Sequence, residues 1–216
     1  MAGPPAAHFW TRCSDTLLEG METIDRPGPR IGTGPKSQRR PKSRRKQGQR
    51  GQSWLIVTSG ECWNLTRSLM EDSAALSRFG LQSACHGLPR SVRSRMPAIR
   101  QGDLAVFYLS DHMAFAAIVG ITSTGFEDHS PIWRGERRDE LFPHRVTIRP
   151  QMLLDEDEYM DARDIAYRLE YIRRWPPEHW ALALQGSLHQ LPGKDFQLLS
   201  DEMTKVMNRR RGSRAV

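Results

Sequence analysis

Met96-Pro-Ala-Ile-Arg-Gln-Gly-Asp-Leu-Ala-Val-Phe-Tyr-Leu109 is the stretch on which the fold of this chain turns. A proline and Arg100 lead to a Gly102-Asp103 turn, and the turn feeds an apolar run. A second apolar run, Ala114-Phe-Ala-Ala-Ile-Val-Gly-Ile121, follows after only Ser110-Asp-His-Met113. Two β-rich runs joined by so few residues predict an antiparallel hairpin.

Working outward, Trp54-Leu-Ile-Val-Thr58 reads as a short buried strand. Ser59 suits a helix N-cap, and Glu61 suits the first turn after it. A helix from about Gly60 to Leu76 would put Leu65 and Leu69 on one face. Phe79-Gly-Leu81 reads as a brief second strand, and residues 84–97 as loop or short helix broken by Gly87 and Pro89. Beyond the hairpin, Thr122 to Leu141 is a long irregular stretch, of the length that is usually functional in a compact domain. His144-Arg-Val-Thr-Ile-Arg149 reads as a strand that stops at Pro150. Ile165, Leu169 and Ile172 keep helical spacing, and Trp180 to Leu184 reads as a strand ended by Gly186. A last helix begins near Gly193 with Phe196, Leu199, Met203 and Val206 on one face.

The net charge of +7 is unevenly spread. Residues 26–52 carry ten Lys/Arg and no acid, and residues 205–216 carry five and no acid. Residues 53–204 carry sixteen basic and twenty-one acidic residues, a net −5. The positive charge therefore sits in tails around a mildly acidic body, a pattern suited to polyanions. Residues 1–52 are rich in Pro and Gly and poor in apolar residues, so they read as a disordered basic tail. The ordered domain is expected over 53–207, with a basic C-terminal tail over 208–216.

Three cysteines, Cys13, Cys62 and Cys85, form no CxxC motif. Their sparse, odd number points to a reducing compartment, and a cytoplasmic location is expected. No apolar run approaches the length of a membrane span, and no secretion signal is expected. Walker, GxGxxG and nucleophile-elbow motifs are all missing. The spacing of Cys62, Cys85 and His86 does not suit zinc, and Asp155 to Glu158 has no calcium-loop glycine. Neither a metal nor a cofactor is expected.

Taken in order, these pieces resemble the EVE domain, a branch of the PUA-like superfamily related to the YTH readers. The resemblance runs from Trp54 to about Met207. It is carried by Trp54-Leu-Ile-Val-Thr-Ser-Gly-Glu-Cys-Trp63, by Phe79-Gly-Leu81 leading to His86-Gly-Leu-Pro-Arg90, and by the Gly102-Asp103 hairpin. Leu141-Phe-Pro-His-Arg-Val-Thr-Ile-Arg-Pro150 is its most specific block, followed by Leu169-Glu-Tyr-Ile-Arg-Arg174 and by Trp180 through Phe196. The resemblance implies an α+β fold: a small, mixed PUA-like β-barrel of five to seven strands with flanking helices. It implies recognition of nucleic acid, DNA or RNA, with a modified base as the target and no catalytic residues.

For such a module the base-binding pocket is expected from Ser59, Trp63, Phe79, Gly80, Leu81 and Trp133. Aromatic faces would stack on a flipped base and nearby backbone donors would bond its edge. Plain core packing is the competing reading for Trp63 and Phe79. Arg78, Arg90, Arg93, Arg95 and Arg100 fall in an acid-free stretch, residues 73–102, and are the candidates for phosphate contacts. Two other functions stay open. One is a small PUA-like enzyme acting on nucleotides or nucleic acid, for which Glu127, Asp128 and His129 are the only converging group. The other is a ribosome- or RNA-associated domain that merely packs.

Overall fold

The computed structural model describes residues 51–135 and 141–213. Residues 1–50, which make up nearly all of the expected N-terminal tail, lie outside the described residues. So do residues 136–140 and residues 214–216.

The strands are β1 (Ser53–Thr58), β2 (Cys85–Leu88), β3 (Leu104–Leu109), β4 (Ala114–Ile121), β5 (Phe126–Glu127), β6 (His144–Leu153), β7 (Met160–Asp161) and β8 (Leu188–Leu191). The helices are α1 (Gly60–Glu71), α2 (Ser73–Arg78), α3 (Ala162–Ile165) and α4 (Gly193–Ser213), with short 3-10 turns between. The main sheet runs β2-β6-β4-β3-β1-β8, with β5 added to β6 and β7 to β4. It curls into a half-barrel flanked by helices, the expected α+β class, with eight strands among the described residues where five to seven were expected.

The decisive hairpin is present: β3 and β4 are antiparallel and joined by Ser110–Met113, with a bulge at Phe107/Tyr108. Among the described residues only β1 and β3 pair in parallel, Ser53 opposite Leu104 through Thr58 opposite Leu109. A parallel pair needs a crossover, and α1, α2 and β2 supply it. Asp103 closes the entrance. Its buried carboxylate accepts from Gln52 N (2.8 Å), Trp54 Nε1 (2.8 Å) and Arg100 N (2.9 Å), which ties the start of β1 to the start of β3.

Successive side chains of a strand face opposite sides. Here both sides are covered. Trp54, Ile56, Ala105, Phe107 and Leu109 face one core with Trp63 and Val146. Leu55, Val106 and Tyr108 face another with Ile165, Leu169, Ile172, Leu199 and Met203. Two-sided burial is why these strands read as continuous apolar runs rather than as alternation.

Five local expectations need correction. The helix after Ser59 stops at Glu71, because Asp72 is extended (φ −128°, ψ 118°) and its carboxylate caps a second helix by accepting from Ala74 N. Phe79-Gly-Leu81 is not a strand. Phe79 caps the end of α2, and Gly80 takes a left-handed φ of 65° that glycine adopts freely. The strand in that region is Cys85–Leu88, antiparallel to β6. β6 does not stop at Pro150 but runs to Leu153, with the proline at a register shift against β4 and beyond the β2 ladder, where no amide proton is missed. Trp180 to Leu184 lies in a 3-10 segment, Pro177–Leu184, and the strand follows Gly186. α4 is helical to Ser213, past the expected boundary at 207. Among the described residues no helix is long and apolar enough to cross a membrane.

Candidate functional site

At the carboxyl ends of β1 and β3 the sheet opens into a cleft of about 470 Å³. Val57, Thr58 and Ser59 form one side. His86 to Pro89 form a second, and Arg134, Gly135 and Phe142 a third. The segment from Ala181 to Ser187 closes it, with Tyr108 and Ser110 at the base of the hairpin. Aromatic faces beside a few hydroxyls, an amide and one exposed cation make up the lining expected of a ligand site.

Ser59 is the N-cap of α1, and its hydroxyl accepts from Cys62 N at 3.3 Å. The next amide, Gly60 N, donates to the Asp111 carboxylate at 2.8 Å. The hairpin tip therefore holds the start of α1 at the cleft edge. This is the role of Asp111, whose pairing with His112 in sequence suggests no chemistry. A side chain at Gly60 would meet His112 Nε2 at 2.8 Å.

His86 lies at the centre of a buried network. Its Nδ1 is 2.8 Å from Thr66 Oγ1, which lies 2.8 Å from the Cys62 carbonyl and accepts from Trp133 Nε1 at 3.0 Å. The carbonyl can only accept, so the hydroxyl proton goes to it and His86 Nδ1 carries a proton of its own. Burial alone pushes the imidazole down to a pKa of about 3, so it is neutral at physiological pH. Neutral with Nδ1 protonated, the ring keeps an acceptor lone pair on Nε2. The Tyr108 phenol is pushed up, first by burial and then by Asp161, and stays protonated as a donor.

Of the six residues expected to form the base pocket, Ser59 lines this cleft. Trp63 is 0 % exposed in the main core, its ring 4.8 Å from Phe107 and its Nε1 donating to Tyr159 at 2.8 Å. Trp133 is 4 % exposed and backs the cleft from behind: its ring stands edge-on to His86 at 5.9 Å, and a Cβ on Gly87 would meet it at 2.5 Å. Phe79 packs with Trp133 in a satellite cluster that excludes Trp63. The amides of Gly80 and Leu81 are spent on Ser77 O and Leu76 O. The structure thus brings Phe79 and Trp133 into one cluster and leaves Trp63 in another. Sequence reasoning missed His86, Tyr108 and Phe142 as cleft residues. The Phe-Pro-His-Arg block that Phe142 opens was the one available signal.

Arg90, Arg93, Arg95 and Arg100 are exposed on the connection between β2 and β3 and make no ion pair among the described residues. Arg95 donates to the Leu188 carbonyl. Arg78 lies apart on α2, over the Phe79 ring at 5.6 Å. A second, wider concavity of about 790 Å³ lies beside Arg93 and Arg100 and is walled by Met96, Ile99, Phe126 and His144.

Glu127, Asp128 and His129 do not converge on a cavity as a catalytic group would. Asp128 accepts from the buried Arg145 guanidinium and from Ser130, and Glu127 lies 3.5 Å from His144 Nδ1. No cluster among the described residues could hold a metal ion, and Cys62 and Cys85 form no disulfide.

No family model matches the chain. A UPF0310 protein of Pyrococcus abyssi is 23 % identical over 155 residues, covering 68 % of this chain and 95 % of the relative. Among solved structures, the complex of the YTH domain-containing protein mmi1 with RNA is matched with a TM-score of 0.50 at 9 % identity, over 76 % of this chain and 87 % of that one. Human THYN1 protein in complex with 5-methylcytosine containing DNA is matched with a TM-score of 0.47 at 14 % identity, over 71 % and 98 %. The first of these two likenesses shows the fold alone, which is like that of a YTH domain.

Proposed function

We propose that this chain is a nucleic-acid-binding module, DNA or RNA its partner, that takes one extruded, modified base into the cleft at the ends of β1 and β3. The observation that carries the reading is the cleft itself. It opens beside the capped start of α1, has Tyr108, Phe142 and His86 in its walls, and adjoins a connection bearing four exposed arginines. A base needs an aromatic face and edge-directed hydrogen-bond groups. Phe142 offers the face. Ser59, Ser110 and Gln185 offer the edge contacts, and the neutral His86 offers an acceptor. The shared fold with a YTH domain that is held in a complex with RNA supports the same reading.

In this reading Trp133 is a backing residue, holding His86 and Gly87 in place, and Trp63 and Phe79 support α1 and α2 from below. The arginines contact phosphates and supply affinity without sequence preference. The module is not catalytic: the one acidic group that could have served an enzyme is occupied in holding its own loop. A cytoplasmic site of action is part of the proposal, supported by the sparse cysteines.

An array of single- and double-stranded oligonucleotides, with and without base modifications, tests the proposal. One modified base should bind above the rest. Phe142→Ala should weaken that binding by about 1–3 kcal/mol, the contribution of one stacked base. Equal binding of all bases, unaffected by Phe142→Ala, would exclude the cleft as the reading site.

A further inference from the structure

We propose that the wide concavity beside Arg93 and Arg100 is a second base site, which holds a neighbouring nucleotide of the strand whose extruded base fills the cleft. This rests on the reading above and extends it from one base to a strand segment. Three observations support it.

The first is composition. Phe126 is 39 % exposed, one of the few large apolar side chains left at the surface, and it stands in the concavity with Met96 and Ile99. Arg93 and Arg100 flank it, exposed and without an ion pair among the described residues. An aromatic face between two cations is the pairing that holds single-stranded nucleic acid: the ring takes the base and the guanidinium groups take the backbone. The only acid in the lining, Glu127, lies 3.5 Å from His144 Nδ1.

The second is proximity. Leu88 lines the cleft, and its ladder partner His144 lines the concavity. The other ladder partner of His144 is Glu127, also in the concavity. Neighbouring strands lie about 4.8 Å apart, so the two hollows share a wall about one strand thick.

The third is the path between them. Pro89 lines the cleft and Arg93 the concavity. The turn Arg90–Val92 joins them and carries the exposed Arg90. Four residues reach at most about 14 Å, the rise of about four stacked nucleotides at 3.4 Å each. A short strand can therefore engage both hollows while Arg90 meets the phosphates between.

The test uses the full chain and a fluorescein-labelled eight-nucleotide single strand that carries the preferred base at its centre, measured by anisotropy. Phe126→Ala and the double variant Arg93→Glu/Arg100→Glu are each expected to weaken strand binding about tenfold. Binding of the free nucleoside of the preferred base should change less than twofold. Both substitutions are at the surface, and thermal unfolding checks that the fold is kept. Phe126→Trp adds a direct readout, since the indole should be quenched by the strand and not by the nucleoside.

If the strand affinity of both concavity variants stays within twofold of the parent while Phe142→Ala abolishes binding, the second base site is wrong and the first reading stands. If no strand binds the parent, both fall. If a poly-glutamate peptide quenches the Phe126→Trp variant as well as the strand does, the concavity is an acidic-peptide site and the inference is overturned.

Discussion

The guanidinium of Arg145 lies 5.2 Å from the centre of the Trp133 ring, fully buried, and donates to Asp128 and to the Ser130 carbonyl. One cation thus joins β6, the loop after β5 and the aromatic behind the cleft. A buried charge with its partner removed is costly, so Asp128→Ala should destabilise the domain by about 3–5 kcal/mol. Urea unfolding measures it. A loss below about 1 kcal/mol would mean that the ion pair does not hold this loop.

The Asp128 carboxylate also sets an acid limb. Hydrogen bonds from the Ser130 side chain and backbone, with the Arg145 and His129 charges adding to them, hold the Asp128 carboxyl below its usual range. Its stabilisation is complete above the unfolded carboxylate value, about 3.9, and is lost as pH falls through the lower folded value. Asp128→Asn should therefore flatten stability against pH below about 4. An unchanged acid limb would exclude this carboxylate as its source.

His86 gives a second, separate pH dependence. Burial lowers its pKa from 6.5 to about 3. Between these values the unfolded chain binds a proton that the folded chain refuses, so stability falls as pH falls, by up to about 1.4 kcal/mol per pH unit. His86→Asn keeps a donor for Thr66 but removes the titration. Comparing urea midpoints at pH 7 and pH 5, the variant should lose less stability than the parent. Equal losses would show that His86 titrates freely.

How much of this was visible in the chain differs by element. The hairpin 104–121 was legible because two long apolar runs and a four-residue link leave one pairing open. Ser59 was legible as a cap because capping is a local interaction. Phe79-Gly-Leu81 misled, because an aromatic and a leucine suit a strand as well as a helix end, and only the positive φ of Gly80 separates the two. Trp180 to Leu184 misled in the same way, its apolar run being turned in a 3-10 segment against the helical face. The cleft was the least legible part. His86, Tyr108, Phe142 and Gln185 come from two strands and two loops far apart in sequence and meet only after the sheet curls. The tryptophans drew attention by size, and size is also what makes them core residues: Trp63 lost its exposure to Phe107, and Trp133 to Thr66 and Arg145.

Gly87 shows how tightly the back of the cleft is built. A Cβ there would lie 2.5 Å from the Trp133 ring and 3.0 Å from Phe142 Cβ. Gly87→Ala must move both, and such overpacking typically costs about 1–3 kcal/mol. Thermal unfolding should show this loss, and the displacement of Phe142 should weaken base binding alongside it. Normal stability with normal binding would mean that the Trp133 ring yields freely, contrary to its hydrogen bond to Thr66.

The basic segment 26–52 carries ten cations and no acid, and it should dominate the salt dependence of nucleic-acid binding. Each phosphate neutralised on duplex DNA contributes roughly −0.9 to the slope of log affinity against log salt, and roughly −0.7 on a single strand. The tail and the arginines near the cleft should add in this slope, because counterion release counts charges and not positions. In the proposed reading, base preference comes from contacts inside the cleft. Deleting residues 26–50, which hold all ten cations and leave Gln52 on Asp103, should therefore flatten the slope by several units on duplex DNA while the ratio of affinities for the preferred and ordinary base stays the same. Titrations of both oligonucleotides at four salt concentrations measure the two quantities together. If the ratio collapses with the tail, the tail and not the cleft distinguishes the bases. If the slope is unchanged, the exposed arginines Arg90, Arg93, Arg95 and Arg100 carry the electrostatics by themselves.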